Sequence, residues 1–245
     1  MKLTIGHIYP DLLNLYGDRG NVQSFAKRLS WRGIDAEVIS YLSGDAIDLS
    51  KLDIIMLGGG SHKEQVAACN LLRPLKDELK SYIENDGVIL AVCGGFHMLG
   101  TSFETADGKA EGLGILDITS TFGKKSMVGN IRIDTPLMDR PLYGFENHYE
   151  VTDIGSYKPF GKVTHGFGNG LNENEGIIYK NLIGTNIHGP LLPKNPEICD
   201  LMLKNALEKK YNKEINLEPL DDSLEVKTNE HVSILYTEKE IKSRH

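Results

Sequence analysis

Apolar positions in the first part of the chain alternate between two patterns. Short continuous apolar runs at residues 3–8, 37–42, 54–57 and 88–92 read as strands, the last two as fully buried ones. Between them, residues 21–32 carry Val22, Phe25, Ala26 and Leu29 at helical spacing and stop at Gly33. Residues 64–85 read as helix, with Pro74 placed to kink or split it. Strands alternating with helices predict an α/β chain: a doubly wound parallel sheet flanked by helices.

The middle of the chain follows another rule. Residues 115–120, 128–134, 142–145 and 160–164 read as short strands divided by Gly, Pro and charged turns, and so as extra antiparallel or edge strands. Residues 166–170 form a loop by composition, and 177–179 and 183–187 are two further strands. Residues 196–211 make an amphipathic helix with Ile198, Leu201, Met202, Ala206 and Leu207 on one side. This predicts one domain over residues 1–211 and a charged C-terminal tail over 212–245 with weak helical patterning.

Composition narrows the function. Of 245 residues, 40% are hydrophobic and 25% charged, enough apolar material for a real core. The net charge of -7 argues against general nucleic-acid or anionic-membrane binding. Three cysteines are too few, and odd in number, for a disulfide framework. With no apolar run near a membrane span and no signal-like start, a cytoplasmic protein is expected. The 26 glycines are an excess, and they cluster at the ends of apolar runs.

Two clusters carry chemistry. Val88-Ile89-Leu90-Ala91-Val92 leads into Cys93-Gly94-Gly95 and a helical stretch, a strand–turn–helix that exposes a nucleophile at the carboxyl end of a strand. The helix N-terminus is expected to lower the Cys93 thiol pKa. Gly58-Gly59-Gly60 ends the neighbouring strand and leaves backbone N–H groups free to approach an anion. Cys69 and Cys199 sit in helices and read as small buried hydrophobes. Of eight histidines, His188 is the best placed base, because it ends an apolar strand at a turn; His148 and His97 are its rivals. No His-x-x-x-His or Cys-x-x-Cys pair supports a metal site.

These clusters, taken with Tyr16-Gly17-Asp18-Arg19-Gly20-Asn21, Glu111-Gly112-Leu113-Gly114, Gly144-Phe145-Glu146-Asn147-His148 and Asn186-Ile187-His188-Gly189-Pro190-Leu191, occur in a specific order. The ordered set resembles the class I glutamine amidotransferases of the cobyric-acid-synthase-like branch, from about Leu3 to Tyr211. The resemblance implies a flavodoxin-like sheet, Cys93 as nucleophile and His188 as general acid and base. It puts the oxyanion against Gly94 and the Gly59-Gly60 turn, and L-glutamine against His97, Lys125, Ser126, Asn147 and His148. Within the branch the set is most similar to cell-wall glutaminase subunits. Those act as heterodimers with a Mur-ligase-like (MurT-type) partner, which uses ATP and magnesium to amidate D-glutamate in lipid II. No cofactor is then expected on this chain.

The sequence departs from the branch or the wider class at four places. Pro190 stands where many class I enzymes carry an acid, so a partner is expected to supply it. His97 replaces a usual Gln. Ser126 replaces an Arg, with Lys124 or Lys125 as the nearest cations. Tyr149-Glu150 replace a Gly and an Arg after the Asn-His pair. Three other readings remain open on residues alone: ammonia supply to another acceptor such as a corrinoid carboxylate, a weakly catalytic interaction subunit, and a cysteine peptidase.

Overall fold

The computed structural model describes residues 1–243, with side chains through Ser233; Arg244 and His245, the end of the expected tail, lie outside the described residues. The first part alternates as the pattern predicts: β1 (Lys2–Ile8), α1 (Arg19–Trp31), β2 (Asp35–Tyr41), β3 (Ile54–Leu57), α2 (His62–Leu72), α3 (Lys76–Glu84), β4 (Val88–Val92) and the single turn α4 (Gly94–His97). Pro74 splits the long helix, because its ring cannot continue the backbone ladder; a 3-10 turn at Arg73–Leu75 separates α2 from α3. Ser61 and Glu64 close a capping box that fixes the start of α2 beside Gly60.

The middle departs from expectation. Residues 102–111 form an unforeseen hairpin, β5 (Ser102–Thr105) and β6 (Gly108–Glu111). Residues 115–118 are not a strand: Leu113 donates to the Met98 carbonyl, and Ile115 and Leu116 to that of Leu99, wrapping the chain around the end of α4. The separate strands expected at 115–120 and 128–134 are instead one, β7 (Thr119–Asp134), and 142–145 extends to β8 (Leu142–Asp153). β8 pairs antiparallel with β7 along nearly all of its length, interrupted by a bulge between Phe122 and Met127. β9 (Gly161–His165) and β10 (Asn174–Glu175) complete this part.

The chain then returns to the first sheet through β11 (Ile177–Tyr179) and β12 (Leu182–Thr185). The run expected at 183–187 is broken at Asn186, whose N–H and Thr185 hydroxyl both donate to the buried Glu175 carboxylate, at 2.7 and 2.6 Å. Beyond the break, β13 (Ile187–His188) pairs with β8 in the other sheet. His188 therefore ends an antiparallel strand and not a parallel one. α5 (Leu191–Lys194), α6 (Pro196–Tyr211) and α7 (Ser223–Ser243) follow.

The described residues build a sheet of order β11-β12-β4-β3-β1-β2, parallel except for the β11 edge, and a second sheet around β7 and β8. Both faces of the central strands β3 and β4 are buried, which is why these two are continuously apolar. Ile55, Leu57, Ile89 and Ala91 pack with α2 and α3 through Ala68, Leu72, Leu79 and Ile83. Ile54, Met56, Leu90 and Val92 pack on the other face with α1 and α6 through Phe25, Leu29, Met202 and Leu203. The segment after α6 is clasped to this layer: Arg28 makes bidentate contacts with Asp200 and Asp222, at 2.6 to 2.9 Å.

Candidate active site

The strand ends of the parallel sheet meet the buried face of β8 in a cleft of about 310 Å³. Cys93, Gly59, Gly60, His188, Asn147, His148 and Glu150 all line it, with Tyr16, His62 and Gln65. Cys93 follows β4 with φ 48°, a conformation an L residue adopts only under constraint. The constraint is visible. The Cys93 N–H donates to the Thr185 carbonyl at 2.7 Å, and the Gly95 N–H donates to that of Gly58 at 3.0 Å. A Cβ on Gly95 would lie 2.5 Å from the Leu57 carbonyl oxygen, so only glycine lets α4 start this close to β3. The turn leaves the Cys93 side chain partly accessible, whereas Cys69 and Cys199 are buried in helices.

Cys93 and His188 come together across Gly59. A Cβ built on Gly59 would lie 2.8 Å from His188 Cε1 and 3.4 Å from both Cys93 Cβ and Asp18 Oδ2. His188 Nδ1 sits 3.2 Å from Asp18 Oδ1, and both side chains are fully buried. An ionised carboxylate can only accept, so this pairing places the ring proton on Nδ1 and leaves Nε2 as a bare lone pair. Nε2 is buried and has no hydrogen-bond partner among the described residues. A carboxylate of this chain thus faces the ring at the place where an acid was expected from a partner subunit. It stands in the loop after β1, 170 residues from His188, not two residues beyond it.

The geometry corrects two expectations about the thiol and its surroundings. The Gly59 N–H is not free for an anion, because it donates to Asp18 Oδ2 at 2.8 Å. Gly60 and Gly94 are the remaining members of the expected oxyanion set, and the Gly94 N–H is directed at the Cys93 thiol. The Cys93 thiol is pushed well up, not down, by burial and then by the carboxylates of Glu150, Asp18 and Glu175. A helix of one turn has too little dipole to offset them. The resting side chain is a neutral thiol.

The expected substrate residues divide. Asn147 and His148 line the cleft, and Asn147 Nδ2 donates to the Tyr16 hydroxyl at 2.7 Å, bridging its mouth. The Tyr16 ring meets His188 edge-on, with centroids 4.9 Å apart. His97 is not in the cleft: it lies fully buried beneath it, with Nε2 2.8 Å from Asn186 Oδ1. Burial lowers its pKa to about 4, so the ring is neutral. Lys125 and Ser126 sit in the exposed bulge between Phe122 and Met127, and Lys125 lines a separate cavity with Lys124. Neither residue lines the cleft.

Tyr16, His62, Gln65 and Glu150 line the cleft, and Asp18 stands beside it, without a role assigned on sequence; Tyr16 and Asp18 lay in a quoted motif and Glu150 was visible only as a departure. His62 Nδ1 accepts from the Ala106 N–H at 3.2 Å, and its Nε2 lies 2.7 Å from Glu150 Oε1. Among the described residues no group of three or more His, Cys, Asp or Glu is arranged to hold a metal ion, and no helix is long and apolar enough to cross a membrane.

Known proteins agree with this architecture. The profile of the CobB/CobQ-like glutamine amidotransferase domain matches residues 4–196. The lipid II isoglutaminyl synthase (glutamine-hydrolyzing) subunit GatD of Staphylococcus aureus is 41% identical over 213 residues, 85% of this chain and 86% of that protein. Its counterpart from Streptococcus pneumoniae is 38% identical over 229 residues, 91% of this chain and 87% of that protein. Among solved structures, PurLQS from Thermotoga maritima superposes with a TM-score of 0.54 at 15% identity, covering 87% of this chain, a likeness of fold.

Proposed function

We propose a function from one premise: the chain belongs to the CobB/CobQ-like glutamine amidotransferase family. Within it, we infer a glutaminase subunit of lipid II isoglutaminyl synthase. It hydrolyses L-glutamine and passes ammonia to a Mur-ligase-like, MurT-type subunit, where ATP and magnesium would drive amidation of D-glutamate in lipid II. The coverage of the GatD relatives, most of both chains, supports this over other ammonia acceptors.

The observation that carries the chemistry is the His188 Nε2 lone pair, fixed by Asp18 and lining the same cleft as Cys93. Nε2 takes the Cys93 proton as sulfur attacks the carboxamide carbon of glutamine. The carbonyl oxygen becomes an oxyanion held by N–H groups of Gly94 and Gly60, each worth about 3 kcal/mol to the barrier. The protonated Nε2 then gives its proton to the leaving nitrogen, and ammonia departs from a thioester. Water attacks that thioester while Nε2 takes its proton; glutamate leaves and the thiol is restored. Asp18 stabilises the imidazolium formed at each step.

The test is ammonia release from L-glutamine by the wild type and Cys93→Ala, with and without the ligase subunit. Release is expected from the wild type and none from Cys93→Ala. Release that survives the substitution overturns the nucleophile assignment, and no release from the wild type with its partner overturns the activity.

A further inference from the structure

The cleft holds a charge that hydrolysis of a carboxamide does not require. Glu150 lines it, and its residue is 4% exposed. His62 does not neutralise it: with Nδ1 accepting from the Ala106 N–H, the ring proton is on Nε2 and points at Glu150, so His62 is a neutral donor. The Tyr149 N–H donates to the other carboxylate oxygen at 3.0 Å. Burial opposes the charge, but the hydrogen bonds from His62 and the Glu150 backbone N–H, with the His148 imidazole, act against it, and the Glu150 carboxyl stays below its ordinary value. The side chain is therefore an ionised, oriented carboxylate in a cleft lined by no lysine or arginine. Asp18 does not line the cleft; its oxygens face His188 and the Gly59 N–H behind it.

His148 is the one base of the cleft that Glu150 holds up, and Glu150 shares that imidazole with the carboxylates of Glu146 and Glu175, so the cleft keeps an excess of buried negative charge that is costly unless something cationic arrives. Glutamine carries one cation, its α-ammonium, separated from the carboxamide by two methylenes and a methine. With the carboxamide at Cys93, that ammonium is the group available to meet a carboxylate in the same cleft. We propose that Glu150, oriented by His62, anchors the α-ammonium of glutamine and so makes the site select a free amino acid over an amide lacking that group. The assignment rests on the glutaminase reading of the cleft. It also gives the high thiol pKa a use: Glu150 is the largest charge disfavouring the Cys93 thiolate, and a bound ammonium cancels it. Asp18 and Glu175 are the other carboxylates acting on the thiol, and both keep their hydrogen bonds.

The experiment is alkylation of Cys93 by iodoacetamide, with protection by L-glutamine or by glutaramate, which has the same carboxamide and carboxylate but no amine. It uses the full chain with its partner, wild type and Glu150→Gln, alongside ammonia release. The wild type should be protected at roughly tenfold to hundredfold lower L-glutamine than glutaramate, and Glu150→Gln should lose that difference. In Glu150→Gln the KM for glutamine should rise by the same factor with kcat changed little, and unliganded Cys93 should alkylate at lower pH. A preference that persists in Glu150→Gln, or no preference in the wild type, overturns the assignment while leaving the glutaminase reading intact. Protection that discriminates without ammonia release overturns the activity and leaves the anchor standing. Should Glu150→Gln fail to fold, Glu150→Asp retracts the same charge by one methylene and should narrow the preference.

Discussion

The two sheets build one cleft by different means. The parallel sheet contributes through its strand ends: β3 and β4 are apolar throughout, and only the turns that follow them, Gly58-Gly59-Gly60 and Cys93-Gly94-Gly95, belong to the proposed chemistry. The antiparallel sheet contributes through side chains along the body of a strand. On β8, Glu146, His148, Glu150 and Thr152 alternate on one buried face. Strand ends can fix a nucleophile because their position is set by a rigid core. A polar strand face can distinguish ligands because every residue on it is a partly desolvated group that must be satisfied. In the proposed mechanism the nucleophile thus comes from the parallel sheet, while the base at the end of β13 and the selecting face of β8 come from the antiparallel one.

Asp18→Asn is the largest test of that division, since it alters only the acid behind His188 at the parallel-sheet end. An amide there also donates, and can favour the wrong His188 tautomer. We expect kcat to fall by roughly a hundredfold to ten-thousandfold with little change in KM, and ¹⁵N shifts of His188 to report the changed tautomer. Unchanged kcat would mean that the partner supplies the working acid after all. The second test is steric. Gly95→Ala forces a methyl to within 2.5 Å of the Leu57 carbonyl oxygen, which is backbone and cannot swing aside. Gly94→Ala meets only the Gln65 side chain, at 3.2 Å. Denaturant midpoints should show a loss of about 1–3 kcal/mol for Gly95→Ala and a smaller one for Gly94→Ala. Equal losses would mean that the β3–α4 approach is not what holds the elbow.

The same division explains what could be read from the residues alone. Continuous apolar runs that end in glycine made β3 and β4 visible to the residue, and Pro196–Tyr211 was equally plain because its core face repeats at helical spacing. β8 was seen only over its apolar start. Past Phe145 its buried face is Glu-His-Glu, which in a single sequence looks like solvent-facing polarity, and only the cleft and its hydrogen bonds explain the burial. The break at Asn186 was hidden for a similar reason: what splits the strand is the Glu175 carboxylate, satisfied by groups 10 and 11 residues away. Asp18 stood in a motif already noticed, but no local signal connects it with His188. The 102–111 hairpin is short, polar and half exposed, so periodicity carried little there, and its two-residue turn is Ala106-Asp107, with Gly108 already paired to Thr105.

The smallest expected effect concerns stability, and it separates the polar face from what lies beneath it. Burial alone would lower the His148 pKa, but Glu146, whose Oε2 is 3.7 Å from its Nε2, Glu175 and Glu150 outweigh it and the pKa is raised. A base whose folded pKa exceeds the unfolded one binds its proton more tightly when folded. Its contribution is complete below the ordinary histidine value of about 6.5 and is lost as pH rises through the folded value. His97 has the opposite sign. Burial lowers it to about 4, so its contribution is complete above the ordinary value and is lost as pH falls toward 4. Stability should therefore peak near the ordinary histidine value and decline on both sides of it. His148→Asn should flatten the alkaline limb of midpoint against pH while leaving the acid limb, and His97→Gln should do the reverse. If His148→Asn leaves the alkaline limb unchanged, the imidazolium on the β8 face is not what that face stores. Its carboxylates would then have to be balanced by a ligand alone, which gives the ammonium anchored at Glu150 the larger part.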